Sequence, residues 1–163
     1  MIGILEKPSG IYTRKKLFFV KGESTVTEAA KVMKVNGVSS VLVSDGDNPK
    51  GIITVKDILL KVVSEGIDPN SIKAAAIMSS PLITMEEDES VSKALDLMAK
   101  NSIHRVLVLD KAGKPLGMIV ERMIDGDLFD EQRKISEGSQ KSKSWLERHI
   151  FEVSESETKK RHV

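Results

Sequence analysis

An internal repeat places the strongest constraint on the fold of this chain. The stretch "STVTEAAKVMKVNGVSSVLVSD" (24–45) aligns with "ESVSKALDLMAKNSIHRVLVLD" (89–110) at a constant separation of 65 residues (91 − 26), as between Val26 and Val91. One additional residue in the second turn then aligns Gly51 with Gly117. The chain therefore contains two copies of one structural unit, and its fold must accommodate that duplication.

Each copy predicts the same order of elements. Apolar residues follow the spacing of one helix face in both copies: Val26, Ala29, Ala30 and Met33, then Val91, Ala94, Leu95 and Met98. Gly37 stands where a helix can end in a left-handed residue. "VSSVLVSD" and "GIITV" predict two buried strands around a polar turn, and "VLVLD" and "GMIV" repeat them. With a further helix from about Lys56 and from about Glu121, the unit is helix, strand, strand, helix.

The segment between the copies, "GIDPNSIKAAAIMSSPLITMEEDES", predicts a short helix and then an extended stretch. Asp68 followed by Pro69 favours a helix start. The extended stretch "IMSSPLITM" matches "YTRKKLFFV" before the first copy. Because so small a unit leaves one sheet face bare, we expect the two copies to pack sheet to sheet. The predicted fold is α/β of the α+β type, with pseudo-two-fold symmetry and the helices outside.

The domain organisation follows from the repeat. We expect the first repeat with its N-terminal segment over residues 1–66, the linker helix with the second repeat over 67–129, and a polar tail over 130–163. The tail has too few apolar residues for a core of its own. Its stretch "SWLERHIF" predicts a short amphipathic helix with four residues on one side: Trp145, Leu146, His149 and Ile150.

Charge and composition exclude several classes of protein. With 25 basic and 24 acidic residues the net charge is +1, which gives no general field for nucleic acid or an anionic membrane, so any anion site must be local. There is no cysteine, and no apolar stretch long enough to span a bilayer. The first residues, "MIGILEKPSGIYTRKK", lack the pattern of a signal peptide. We expect a cytoplasmic protein.

No catalytic pattern stands out. The sequence has no nucleophile with a nearby base, no Gly-x-x-x-x-Gly-Lys loop and no His, Asp or Glu set with metal-ligand spacing. We therefore expect a protein that is not an enzyme and has no catalytic cofactor, with Mg²⁺ entering only in association with phosphate.

The stretch "IMSSPLITMEEDESVSKALDLMAKNSIHRVLVLDKAGKPLGMIV", with the earlier "GIITVKDIL", resembles a tandem pair of CBS domains over roughly residues 11–129. Within it, "HRVLVLD" is similar to the corresponding stretch of the nucleotide-sensing γ subunit of AMP-activated protein kinase. The resemblance implies a Bateman module with two clefts between the repeats, which bind adenosine compounds such as AMP, ADP, ATP or S-adenosylmethionine. It also implies a homodimer formed through helices, for which four residues are candidates: Met33, Val35, Leu97 and Met98.

The same resemblance assigns residues to each cleft, because each cleft takes its ribose motif from one repeat and its other residues from the second. The first cleft gathers Gly51, Ile53, Thr54, Lys56, Asp57, Ile83, Thr84, Ile103, His104 and Arg105. The second gathers Phe18, Phe19, Ser39, Val120 and Met123. This second set cannot bind a sugar diol, and we expect its own side chains to fill the cleft. One adenine nucleotide per chain is the predicted stoichiometry.

Physical chemistry gives these residues a role and an alternative. An ionised carboxylate at Asp57 can accept both hydroxyls of a ribose, yet Thr54 with Asp57 also fits an ordinary helix cap. Arg105, beside His104, would form charge-assisted bonds to a phosphate, or could extend to the surface. Gly51 and Ile53 fit a hairpin and a core equally well.

The predicted function is an adenine-nucleotide sensor that signals to an unknown regulated protein by changing its conformation. Three alternatives stay open. One is a structural interaction module that binds no ligand in its clefts and uses the Trp145 region for a partner. Another is a sensor of S-adenosylmethionine. The third is a nucleic-acid-binding protein that uses "TRKK", "KSKS" and "KKR", against which the near-zero net charge argues.

Overall fold

The structure of the protein, a computed structural model, describes residues 3–46 and 48–137, with side chains described up to residue 129. The chain divides into two compact units, 1–123 and 124–163. The first unit contains both repeats up to the first residues of the last helix. It begins with two 3₁₀ turns, Ile4–Glu6 and Ser9–Tyr12.

The elements follow the predicted order of helix, strand, strand and helix in each repeat. In the first repeat they are β1 (Phe19–Val20), α1 (Val26–Asn36), β2 (Ser40–Ser44), β3 (Pro49–Thr54) and α2 (Val55–Ile58), which continues as a π-helical turn (Leu59–Val63). In the second they are α3 (Ala74–Ile77), β4 (Thr84–Glu86), α4 (Val91–Asn101), β5 (Arg105–Leu109), β6 (Pro115–Val120) and α5 (Glu121–Glu137). Across the described ranges, no helix combines the length and apolar character that crossing a bilayer requires.

The linker helix begins later than the sequence predicts. Asp68 does not cap a helix: its carboxylate accepts a hydrogen bond from the backbone N–H of Asn70 at 2.9 Å, and its carbonyl accepts one from Ser71 at 2.9 Å. These bonds close a local turn, a conformation that an aspartate side chain favours as readily as a helix cap. The helix α3 starts only at Ala74.

The repeat extends to the ends of the long helices. Gly37 ends α1 in the left-handed conformation with φ of 61°, as predicted. The equivalent residue after α4 is Ser102, which adopts the same conformation with φ of 53°. The two copies therefore share this backbone conformation even though the second copy has serine in place of glycine, the residue that adopts a positive φ without steric strain.

Each repeat contributes one three-stranded sheet with the same topology. The order is β1-β2-β3 in the first and β4-β5-β6 in the second, with the first pair parallel and the second pair antiparallel. In the first sheet Val41 pairs with Ile53, and both side chains are buried in the core under α1. Ile53, predicted to line the first cleft, is therefore a core residue with no exposed surface.

The two sheets face each other, which confirms the predicted sheet-to-sheet packing. A separate buried cluster joins Leu42 of β2 to Leu107 of β5 and Met118 of β6. Partly buried residues from both repeats surround it, including Ile52 and Val120. Burial of this second face supplies the apolar contact that one repeat could not make alone.

The segment before each repeat crosses the other repeat's last strand. Arg14 forms a β-bridge with Met118, and Ser79 forms the equivalent bridge with Ile52. At Gly51 the crossing backbone comes so close that an added Cβ would lie 2.9 Å from the carbonyl oxygen of Ser79. Gly51 was predicted to shape the first cleft, but the structure explains it by this close approach of the linker to β3.

Candidate functional site

The first cleft is a cavity of about 350 Å³ between the two repeats. Seven of the ten residues predicted for it line this cavity: Thr54, Lys56, Asp57, Ile83, Ile103, His104 and Arg105. The other three lie elsewhere. Gly51 adjoins the linker, Ile53 is in the core, and Thr84 is an exposed residue at the start of β4, paired with Leu107. The cavity thus joins the start of α2, the linker and the start of β5.

Asp57 and Thr54 form a capping box at the start of α2. The backbone N–H and the hydroxyl of Thr54 donate to Oδ2 of Asp57 at 2.8 and 2.6 Å, and the N–H of Asp57 donates to the Thr54 hydroxyl at 3.1 Å. The structural alternative proposed from the sequence is therefore correct. It uses one oxygen of the carboxylate and leaves the other, Oδ1, directed to different partners.

Oδ1 of Asp57 accepts hydrogen bonds from two further residues. Lys61 Nζ lies 2.8 Å away and the hydroxyl of Ser79 lies 3.2 Å away. Burial raises the pKa of Asp57, but the hydrogen bonds from Lys61 and Thr54 outweigh burial and hold that pKa below its ordinary value. The result is a carboxylate that is charged at neutral pH, only 12% exposed, and engaged at all four of its acceptor positions.

His104 lines the first cleft at its edge. Its side chain is 70% exposed, and Nδ1 lies 2.5 Å from a carboxylate oxygen of Glu121, the first residue of α5. The backbone reinforces this contact, because the N–H of Glu121 donates to the carbonyl of His104 at 3.0 Å. His104 therefore joins the start of β5 to the start of α5 as well as facing the cavity.

Arg105 lies between the two clefts. Its guanidinium donates to the carbonyl oxygen of Ser39 at 3.2 Å, and both residues line both cavities. Burial and the nearby positive charge of Arg122 lower the pKa of Arg105, while the charge of Asp57 opposes that shift. Arg105 is thus within electrostatic range of both the Asp57 carboxylate and the Arg122 guanidinium.

The second cleft is a larger cavity of about 590 Å³, so its own side chains do not fill it, contrary to the prediction. Three of the five predicted residues line it: Phe18, Ser39 and Val120. Phe19 does not, because successive side chains of an extended segment point to opposite sides, and its ring is 45% exposed. Met123 also lies outside the lining.

Sequence reasoning missed several residues in each cleft. In the first these are mainly Lys61 and Ser79. In the second they are four cations: Arg14, Lys16, Lys34 and Arg122. Two signals were available. Lys61 follows Asp57 by four residues on one helix face, and Arg14, Lys16 and Phe18 alternate along an extended segment. The "TRKK" stretch considered for nucleic acid thus supplies two cations to a cleft.

Some predictions fall outside the described residues. The amphipathic helix around Trp145, the rest of the tail beyond residue 137, and the "KSKS" and "KKR" stretches all lie there. In the ranges 3–46 and 48–137, no group of three or more histidine, aspartate and glutamate side chains is arranged to hold a metal ion.

Comparison with known proteins adds relatives to this geometry. An uncharacterized protein of Methanopyrus kandleri is 35% identical over 136 residues, covering 78% of this chain and 69% of the relative. The crystal structure of an uncharacterized conserved protein from Pyrococcus horikoshii superimposes with a TM-score of 0.68 at 30% identity, over 79% of this chain and 94% of that one. A CBS domain protein from Pyrobaculum aerophilum complexed with AMP has the same fold, with a TM-score of 0.64 at 24% identity over 71% and 88%.

The extent of these matches limits what they transfer. The chain spans 69%, 21% and 16% of the length of three curated relatives, so the activities of the longer proteins are not carried over. The family model described as the CBS domain matches residues 9–64 and again residues 74–125. Those two matches coincide with the two structural repeats, and the chain therefore belongs to the CBS-domain family, with its two domains paired as in a Bateman module.

Proposed function

We propose that the first cleft binds an adenine nucleotide of the AMP, ADP or ATP type and that the protein is a regulatory sensor without catalytic activity. The observation that carries this proposal is the Asp57 carboxylate, which is charged, 12% exposed and part of the lining of a cavity shared by both repeats. A largely buried carboxylate that lines such a cavity can accept hydrogen bonds from a ligand with paired hydroxyl groups when that ligand displaces a donor already bound to it.

The rest of the cleft complements the other parts of a nucleotide. Ile83 and Ile103 offer an apolar surface to a base, as does Leu82. The cations Lys56 and Arg105 line the same cavity and suit a phosphate. An acceptor for the sugar, cations for the phosphate and an apolar surface for the base are thus combined in one cavity.

Ligand binding at Asp57 would alter a contact between repeat and linker. All four acceptor positions of Asp57 are engaged, so a ribose hydroxyl has to replace Lys61 or Ser79 at Oδ1. Ser79 belongs to the linker and pairs through its backbone with Ile52. Releasing its hydroxyl from Asp57 would loosen one tie between the linker and the start of α2. This change of contacts is the proposed origin of the conformational signal.

The relatives support the choice of ligand class. The Pyrobaculum aerophilum protein, which shares the fold, was crystallised with AMP. A protein with this architecture can therefore hold an adenine nucleotide, and AMP is the first ligand to test. S-adenosylmethionine also carries a ribose diol and belongs in the same test, as does Mg²⁺ together with ATP.

The output of the sensor is proposed to pass through a homodimer to a regulated partner protein. Of the four residues predicted for the interface, Met33 and Met98 are buried in the cores of their own repeats, so they cannot form it. Val35 is 83% exposed and remains available. A more extensive apolar surface lies on α2 and its π-helical continuation, where four residues are more than half exposed: Val55, Leu59, Leu60 and Val63.

Calorimetric titration with AMP and 2′-deoxy-AMP tests the proposed site directly. We expect one AMP per chain, with 2′-deoxy-AMP binding about tenfold more weakly because it loses one hydrogen bond to a charged carboxylate. Asp57→Ala should abolish most AMP binding. The matched control is Glu28→Ala, since Thr25 and Glu28 form the same capping box on α1 and neither residue lines either cleft.

Three results would overturn the proposal. Equal affinity for AMP and 2′-deoxy-AMP would show that the ribose diol is not recognised. Unchanged AMP affinity in Asp57→Ala would show that Asp57 does not bind the ligand. Absence of saturable binding by AMP, ADP and ATP at millimolar concentration would remove the ligand class. In that case S-adenosylmethionine and a short oligonucleotide, titrated in parallel, identify which alternative function replaces it.

A further inference from the structure

The second cleft concentrates positive charge. Five cationic side chains line it, and no aspartate or glutamate does: Arg14, Lys16, Lys34, Arg105 and Arg122. They come from the segment before β1, from α1, from the start of β5 and from the start of α5. In a chain whose net charge is only +1, this convergence is a local feature that the overall composition does not produce.

None of these cations forms a close ion pair with a carboxylate in the described part of the chain, although the charge of Asp57 acts on Arg105 from the first cleft. Within residues 3–46 and 48–129, the side-chain ion pairs involve Lys50, Lys61, Lys93 and His104, and none of the five. Lys16 lies 5.3 Å above the ring of Phe18, and Arg105 donates to Ser39. Arg122 and Arg105 are close enough for the first to lower the pKa of the second. Grouped like charges are unfavourable unless an anion compensates them.

The remaining lining is unsuited to a sugar. Where the first cleft has Thr54, this one has Val120, and the position equivalent to Asp57 is Met123, which lies outside the lining. The polar side chains other than the cations are those of Ser39 and Ser40, and apolar residues such as Met33 and Leu42 form much of the rest. A ribose placed here would lack a carboxylate acceptor for its hydroxyls. The polar contacts that this cleft offers therefore suit an anion and not a sugar diol.

We propose that the second cleft binds a compact polyphosphate anion, of the diphosphate or tripolyphosphate class, through its five cations. Several adjacent phosphate groups can each meet a different lysine or arginine, which a single phosphate cannot do. The cavity of about 590 Å³ accommodates such an ion with its water shell. This proposal does not depend on nucleotide binding in the first cleft. The same chemistry is offered by free inorganic polyphosphate and by the phosphate chain of a nucleoside triphosphate.

Titration of the full chain with sodium tripolyphosphate, diphosphate and orthophosphate in the absence of Mg²⁺ tests the proposal. Affinity should decrease in that order and should weaken as salt is raised. Arg14→Gln, Lys34→Gln and Arg122→Gln should each weaken tripolyphosphate binding about tenfold, because each removes one charge-assisted contact. Lys31→Gln is the matched control: Lys31 is on α1 with Lys34, is exposed, and does not line the cleft.

Two further arms separate this site from the first cleft and identify the source of the anion. Asp57→Ala should retain tripolyphosphate binding while losing AMP, which distinguishes failure of this proposal from failure of the nucleotide site. ATP binding to Asp57→Ala with the affinity of tripolyphosphate would assign the phosphate chain of a nucleotide as a ligand, whereas binding of tripolyphosphate alone would assign the free ion. The proposal is overturned if tripolyphosphate does not bind at millimolar concentration, or if Lys31→Gln weakens it as much as Lys34→Gln.

Discussion

Arg105 of the second repeat donates a hydrogen bond of 3.2 Å to the carbonyl oxygen of Ser39 in the first repeat, and these two residues line both clefts. The guanidinium is therefore part of the wall that separates the proposed nucleotide site from the proposed polyphosphate site. If both proposed sites are occupied, their two anions share the positive charge of one guanidinium and repel each other across it.

Tripolyphosphate should reduce the affinity of the protein for AMP. If each anion draws on Arg105, saturating tripolyphosphate should weaken AMP binding about fivefold, and AMP should weaken tripolyphosphate by the same factor, as linkage requires. Arg105→Gln should weaken both ligands and reduce the antagonism between them. Titration of AMP at several fixed tripolyphosphate concentrations measures this directly.

The form of the antagonism distinguishes shared charge from a shared site. With two separate sites the apparent dissociation constant for AMP reaches a plateau as tripolyphosphate is raised. A dissociation constant that rises without limit would instead show that both ligands occupy one cleft. Independence of the two affinities would show that Arg105 serves only one of them.

The fold could be predicted from the sequence because the same pattern of apolar residues occurs in both copies of the repeat. Val26, Ala29 and Met33 and their counterparts in the second copy are sufficient to orient both helices. Residues close in sequence were also predictable, as with the capping box of Thr54 and Asp57. Local spacing determines such contacts, so a single sequence can reveal them.

Contacts set by strand register and by distant segments were harder to predict. Ile52 and Ile53 are adjacent and chemically identical, and only the pairing of Val41 with Ile53 decides that Ile53 enters the core while Ile52 lines the first cleft. The cations of the second cleft come from residues as far apart as Arg14 and Arg122. No local pattern links those positions, so only the folded chain shows that they converge.

Lys61 should act as an internal competitor of the nucleotide's ribose. Its Nζ donates to Oδ1 of Asp57 at 2.8 Å and to the carbonyl of Ile77 at 2.7 Å. On Oδ1 of Asp57 it occupies an acceptor position that a ribose hydroxyl needs. Lys61→Met keeps the length of the side chain and removes the donor. Adenosine is the probe because it has no phosphate, so the loss of the Lys61 charge cannot weaken its binding through a phosphate contact. It should bind about fivefold more tightly to Lys61→Met, which corresponds to about 1 kcal/mol.

Lys56→Met is the control for this prediction, since Lys56 is an exposed cation of the same cleft. It should leave adenosine affinity unchanged. Calorimetry on the two variants in parallel gives the comparison. Weaker adenosine binding in Lys61→Met would show that the ammonium group is a ligand contact and not a competitor.

The contribution of Asp57 to stability should depend on pH. Burial raises the pKa of Asp57, but hydrogen bonds from Lys61 and Thr54 outweigh burial, so the carboxylate is more acidic in the folded chain than in the unfolded one. Its stabilising contribution is therefore present above the unfolded pKa and is lost as pH falls through the folded pKa. Asp57→Asn should lower the free energy of unfolding by about 1 to 2 kcal/mol at pH 7, and the difference should shrink as pH falls below about 4.

Urea unfolding of both proteins at neutral and acidic pH measures this difference. Asp96→Asn, at an exposed position on α4, serves as the control and should change the free energy of unfolding little at either pH. A constant difference between the Asp57 variant and the parent protein across this range would mean that the charge of Asp57 contributes nothing and that only the shape of the cap matters.

Two chains should associate through the exposed apolar surface of α2 and its π-helical continuation. Leu59 and Val63 are more than half exposed, lie four residues apart and line neither cleft, so substituting them leaves both proposed ligand sites intact. Burying such side chains between two copies removes apolar area from water, and placing charges there opposes association.

Light scattering at micromolar concentration should give twice the mass of the chain for the parent protein and the mass of one chain for the double variant Leu59→Lys, Val63→Lys. Ile11→Lys, which charges an exposed isoleucine on a different element, should remain dimeric. A monomeric parent protein would contradict association itself, and a dimeric double variant would move the interface to another face, for which exposed Val35 on α1 is the next residue to substitute.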